Sequence, residues 1–178
     1  MPEAISDAAF REALAHFASG VTIVTARADG LPAGFTASAF TSVSRTPPLI
    51  LVCVNHGASA YEAVVGSAAF GVSVLAERQA WIAEQFAKSG VDRFRDVPWS
   101  AGGGGVPLID GAIVHLECKQ HATHEAGDHT LLVGEVLRAS VSAGRPLLHF
   151  ARRFGGFAPD APPSNGAPHD GVSKGSEV

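Results

Sequence analysis

Residues 20–55, GVTIVTARADGLPAGFTASAFTSVSRTPPLILVCVN, set two apolar strand-like runs on either side of a segment built from small and hydroxyl-bearing residues. Val21 to Arg27 alternates as a strand. Ala28-Asp29-Gly30 then supplies a turn with glycine at the position that needs positive φ, so a hairpin leads straight into the small-residue segment. Thr46-Pro47-Pro48 breaks that second strand, and Leu49 to Val54 follows as an unbroken apolar run, the pattern of a strand buried on both faces. Strands joined this tightly must pair antiparallel. Along the middle segment Gly34, Thr36, Ala37, Ser38, Ala39, Thr41 and Ser42 leave backbone N–H groups and hydroxyls open to close approach. That pattern fits a surface that touches a ligand, and it equally fits the wet face of an ordinary sheet.

The rest of the chain continues in short strands with helical inserts. Ser6 caps a helix with Phe10, Leu14 and Phe17 at i, i+4 and i+7, ended by Gly20 and expected to dock on the body of the protein. Ser59 to Val65 predicts a brief helix opened by a hydroxyl cap. Ala69 to Leu75 predicts a strand, and Glu77 to Lys88 a helix with Trp81, Ile82 and Phe86 on one side. Residues 91–106 have no usable period and contain four consecutive glycines, which predicts a mobile surface loop. Strands resume over residues 111–120, 130–140 and 147–150, the first two separated by a HATHEAGDH connection. About seven strands without regular alternation with long helices argue against a doubly wound parallel sheet and for a mainly antiparallel barrel with helical decoration. Residues 1–157 read as one domain, and residues 158–178, rich in Pro, Gly and Ser, as a disordered tail.

Charge narrows the function. A net charge of −4 and a pI near 6.0 give no basic footprint, so nucleic acid and anionic membrane are not expected partners. No apolar run reaches the roughly 20 residues of a membrane helix. The N-terminus carries Glu3 and Asp7 without a basic start, which predicts a cytoplasmic protein. Cys53 and Cys118 sit in apolar strand-like runs and read as buried free thiols. His115, His121, His124 and His129 crowd together but lack the i, i+4 pair on a helix that a zinc site favours, so no metal is expected. His129 stands out among them, because Gly127-Asp128-His129 makes a turn that enters a strand and sets an imidazole beside a carboxylate. GxGxxG and P-loop motifs are missing.

One ordered set of segments, FREALAHFASGVTIVT, GFTASAF, SRTPPLILVCVN, the following Ser59, AFGVSVL with ERQAWIAEQFA, Arg93-Phe94, LIDGAIVHLEC, GDHTLLVGEV and RPLLHF, resembles the short-chain flavin reductases over residues 8–157. These are the reductase components of two-component flavin-dependent monooxygenases. The resemblance implies an FMN-binding split β-barrel, antiparallel and Greek-key-like, usually a homodimer. It implies reduction of FMN or FAD by NADH or NADPH, with the reduced flavin consumed by a partner monooxygenase.

Carried over residue by residue, the resemblance implies that Pro32, Ala33, Gly34, Phe35 and Thr36, with Ser38 and Ala39, line the isoalloxazine ring. Cys53, Val54 and Asn55, with Ser59 and Ala60, would hold the ribityl chain and phosphate. The segment Gln85, Phe86, Ala87, Lys88, Ser89 and Gly90 would close over the flavin tail. His129, as the catalytic-site residue, and Arg152, Arg153, Phe154 and Gly155 would border the nicotinamide. Ala39 stands where many relatives carry serine, and Phe154 where tyrosine is frequent. Two other readings share the fold: a pyridoxamine-phosphate-oxidase-like enzyme, and a flavin-binding module without catalysis.

Overall fold

The computed structural model of the protein describes residues 4–159. Helix α1 (Asp7–Ala15) leads into β1 (Ser19–Gly20), β2 (Thr22–Ala28), β3 (Leu31–Ala37), β4 (Phe40–Arg45) and β5 (Pro48–Asn55). A short α2 (Tyr61–Val65), strand β6 (Ala69–Val74), a 3-10 turn (Glu77–Gln79) and α3 (Ala80–Ala87) follow. The chain ends in strands β7 (Trp99–Ala101), β8 (Pro107–Ile109), β9 (Val114–Ala126), β10 (His129–Val141), β11 (Leu147–Phe150) and β12 (Arg153–Gly156). Seven strands form one antiparallel sheet in the order β3-β2-β6-β9-β10-β5-β4. Its two edge strands, β3 and β4, are consecutive in the chain with only Ser38 and Ala39 between them. Both can be edges only if the sheet curls round on itself; at the split the β4–β5 pairing runs on past Phe40, with the Cys53 N–H donating to Ala39 O at 3.0 Å. This is the antiparallel split barrel that the sequence led us to expect.

Strand β2 is buried on both faces, and the two-residue period sorts its side chains. Val24 and Ala26 enter the barrel core with Phe35, Val52, Val54, Phe70 and Leu132. Val21 and Ile23 point the other way, where Ile82 and Phe86 of α3 pack with Leu75, Ile109 and Leu147. Gly134 lies where β10 slips register against β9, and a Cβ there would overlap the buried Phe70 ring. Strand β5 differs from expectation: Ile50, Val52 and Val54 are buried, but Leu51 and Cys53 on its other face are half-open because a recess lies against them.

Four local expectations are corrected. Helix α1 forms under its Ser6 cap, yet Phe10, Leu14 and Phe17 are 52, 55 and 74% exposed, so its apolar stripe is not docked. The helix is tied down only near its C-terminal end, where Glu12 pairs with Arg152 at 2.7 Å and Ala15 O accepts from Ala151 N–H. The segment expected as a mobile loop carries the β7–β8 hairpin. Its glycines have a structural task, since the Gly103 and Gly104 amides donate to the Glu117 carboxylate at 3.1 and 2.7 Å. The HATHEAGDH connection is mostly strand, because β9 runs on to Ala126 and leaves Gly127-Asp128 as the turn into β10. In α3, Ile82 and Phe86 are buried while Trp81 faces outward. Residues 160–178, expected as part of a disordered tail, lie outside the described residues.

Candidate functional site

At the split, where β3 passes to β4, a recess of about 340 Å³ opens between the small-residue strand and the end of β5. The alternation of β5 puts Val54 in the core and turns Cys53 and Asn55 toward the recess. Thr36, Ser38 and Ala39 form the facing wall, and Phe86, Ala87 and Ser89 at the end of α3 form a third. The Thr36 hydroxyl donates to Ala83 O at 2.6 Å and so ties strand to helix. Beyond Asn55 the chain turns sharply, with Gly57 N–H donating to Asn55 Oδ1 at 2.7 Å. The recess walls contain no carboxylate, and their ionisable side chains are Cys53, Arg93 and His129.

Two further recesses adjoin this one. A smaller one of about 260 Å³ lies past Gly34, bounded by Pro32, Ala33, Ser59, Ala60, Val91 and Phe94, with Asp92 and Arg93 at its margin. Arg93 lines both. Its Nε–H donates to Lys88 O and one Nη1–H to Gly34 O, each at 2.8 Å, and partial burial holds the guanidinium below its ordinary pKa. On the other side, an apolar recess of about 720 Å³ runs beneath α1, with Phe10, Leu14, Phe40 and Leu51 among its walls. It shares Ser38, Ala39, Cys53 and His129 with the central recess. His129 Nδ1–H donates to Asp128 Oδ1 at 2.7 Å, a hydrogen bond that holds the Asp128 carboxyl below the usual carboxylate range. Cys118, by contrast, is buried in the core, and desolvation with the neighbouring Glu117 charge pushes its thiol up to about 12.

The flavin reductase like domain family matches residues 14–158 of this sequence. The chain belongs to that family. Among similar proteins, the NADH-dependent FAD reductase of Streptomyces globisporus is 43% identical over 157 residues, which are 85% of this chain and 86% of that one. The reductase component of a 4-nitrophenol 4-monooxygenase/4-nitrocatechol 2-monooxygenase of Rhodococcus opacus is 41% identical over 155 residues, 87% of this chain and 83% of that one. Among solved structures, a Streptomyces globisporus NADH:FAD oxidoreductase in complex with NAD and FAD fragments superposes with a TM-score of 0.84 at 42% identity. That match covers 90% of this chain and 99% of the other.

The residues of this flavin reductase family member fit a flavin. Small side chains admit a planar ring to the backbone of β3, and hydroxyls, amides and a cation, without a carboxylate, suit its carbonyls and phosphate. The structure brings Phe35, Thr36, Ser38, Ala39, Cys53, Asn55, Phe86, Ala87, Ser89 and His129 to the central recess. Pro32, Ala33, Gly34, Ser59 and Ala60 line the smaller recess, and Arg152 the apolar one. Ser59 does not cap α2, which starts at Tyr61 with Ala60 at its cap and no side-chain bond.

Val54 faces the core, and Gln85 gives its amide to Arg93 O and Arg95 O. Lys88 contributes its carbonyl to Arg93 Nε–H, and Gly90 makes a turn at φ 73°. Arg153, Phe154 and Gly155 belong to β12, where Phe154 packs against His149 and the outer core. None of these seven lines a recess among the described residues. Sequence reasoning missed Arg93 as a site residue, although Arg93-Phe94 belongs to the pattern that resembles the family. It also missed Gly57 and Ala58, whose signal is only a small-residue turn after a strand.

Proposed function

We propose that this protein uses NADH or NADPH to reduce FMN or FAD and supplies the reduced flavin to a flavin-dependent monooxygenase component. The observation that carries the reading is the shared border of the central and apolar recesses at Ser38, Ala39, Cys53 and His129. A flavin held against β3 would present one ring face toward that border, and a nicotinamide in the apolar recess would meet it there. When bound, the flavin supplies a hydride acceptor and the nicotinamide the donor, so the chain need supply no acid, base or nucleophile. Its residues orient and shield instead. Thr36, Ser38 and Ala39 would fix the isoalloxazine through backbone and hydroxyl donors, and Cys53 and Asn55 the ribityl chain. Phe86 and Ala87 exclude water from the third wall. His129, steadied by Asp128, would position the nicotinamide with Arg152. The NADH in the names of relatives supports NADH as the donor.

Two further assignments belong to the same reading. We take the protein to be a homodimer, which the undocked Phe10, Leu14 and Phe17 on α1 support. We place it in the cytoplasm, where nicotinamide nucleotides are available; among the described residues no helix is long and apolar enough to cross a membrane. Anaerobic mixing of the protein with NADH or NADPH and free FMN or FAD, followed at the flavin absorbance band, tests the proposal. Bleaching of many equivalents of free flavin is the expected result. Flavin that binds but stays oxidised would favour a binding module. Tightly held flavin that turns over an amine and not free flavin would favour a pyridoxamine-phosphate-oxidase-like enzyme.

A further inference from the structure

We propose that Glu125 and His56 are positioning residues for His129, which they hold against the end of β5 from the opposite face of β10. The inference rests on the reading that His129 meets the nicotinamide. Strand alternation turns His129 toward the recesses and its neighbour Thr130 into the barrel, where Thr130 is fully buried. The Thr130 hydroxyl meets Glu125 Oε1 of β9 at 3.0 Å and Tyr61 Oη of α2 at 2.8 Å. It also meets His56 Nε2, in the turn after β5, at 3.2 Å. The same Nε2 lies 3.1 Å from Glu125 Oε2. The carboxylate only accepts, and Thr130 gives it the one hydroxyl proton it has. Tyr61 must therefore donate to Thr130, and His56 Nε2 must carry a proton.

None of these four side chains lines the central, smaller or apolar recess. Two of them adjoin residues that do: His56 follows Asn55 and Thr130 follows His129, the two recess residues that pair across β5 and β10. The His56 N–H donates to Asp128 O at 3.0 Å, and the Asp128 carboxylate accepts in turn from His129 Nδ1–H. The turn that carries Asp128 is thus tied to the end of β5 twice, by the His56 main chain and by its side chain through Glu125 and Thr130. Glu125 is the joint, because it sits opposite Thr130 in the β9–β10 ladder and reaches across to His56. The Tyr61 ring packs on the core and stands edge-on to His56, with centroids 5.3 Å apart, so the imidazole that Glu125 grips is itself anchored. A turn held from both sides fixes the direction of the His129 ring before any ligand arrives, and such pre-organisation lowers the cost of binding.

A double-mutant cycle on the whole protein, joined to spectra taken without ligands, tests this. Glu125 is exposed, so Glu125→Ala should fold. It is expected to raise KM for NADH about three- to tenfold, with kcat and the affinity for oxidised flavin within about twofold. Added to His129→Ala, the same change should cost less than about twofold more, because the ring it positions is gone. Glu125→Gln, which can still accept from Thr130, should recover most of the loss. In imidazole proton–nitrogen NMR spectra of the ligand-free protein, assigned with His129→Ala, His129 is expected as the Nδ1–H tautomer in wild type and as a mixture of tautomers in Glu125→Ala. A KM penalty of equal size with and without His129 would overturn the proposal, since it marks a merely structural contact. So would a wild-type KM in Glu125→Ala, or a His129 spectrum that the substitution leaves unchanged. Absence of NADH oxidation by wild type would instead overturn the reductase reading and with it the role at the nicotinamide, while the spectra would still decide whether Glu125 orients His129.

Discussion

His129 and Ser38 border both the central and the apolar recess, one as a titratable ring and the other as bare wall. The Asp128 carboxylate can only accept, so Nδ1 of His129 carries the proton between them and Nε2 is left for a ligand. Because this contact depresses the Asp128 pKa, its contribution is present above the ordinary carboxylate pKa of about 4. It is lost as pH falls through the lower folded value. His129→Ala should therefore raise KM for NADH roughly tenfold, the equivalent of one charged hydrogen bond. Flavin affinity measured by titration should stay within about twofold, and equal loss of both would remove His129 from the nicotinamide side. Ser38→Phe tests the wall. Ser38 is exposed, so its thermal midpoint should move by less than about 0.5 kcal/mol equivalent. Flavin binding should be abolished because the added ring fills the recess, and unchanged flavin affinity would take the ring off β3. These residues were legible in sequence, the one as an imidazole in a turn and the other as part of a run of small side chains. Arg93 was not, because the carbonyl that orients it belongs to Gly34, 59 positions away.

At the scale of elements, periodicity identified most strands and helices but not what covers them. The α1 stripe has the spacing of a buried face and is exposed. Residues 91–106 have no period, yet the segment is ordered by donors and acceptors far apart in sequence: Gly104 meets Glu117, and Arg27 donates to Gly105 O at 2.7 Å and covers Trp99. Contacts of that kind leave no local signature, so four glycines read as slack when they are an amide cradle. The register slip at Gly134 is similar, since its reason is the Phe70 ring on β6. Gly134→Ala should overpack that junction and cost about 1–3 kcal/mol in urea unfolding with the m-value unchanged. A cost near zero would mean the barrel core yields there more easily than its packing implies.

For the whole molecule, the decisive fact is that the two edge strands of the sheet are neighbours in the chain, so curling creates a seam with Ser38 and Ala39 on it. The central and apolar recesses share that seam, and the smaller one joins the central recess at Arg93. The α1 face beside it is apolar and unpartnered within the described chain. Leu14→Glu should shift a homodimer toward monomer in sedimentation equilibrium; a monomeric wild type would remove the dimer from the reading. Sequence alone determined the antiparallel class, the small-residue strand and the Gly127-Asp128-His129 turn, because each is written in side-chain alternation or turn chemistry over a few adjacent residues. The tertiary structure alone decided which faces stay open, that the central recess borders two others, and that Arg93 lies between it and the smaller one. Those outcomes depend on where the curled sheet brings distant backbone groups together, and no short stretch of sequence records that distance.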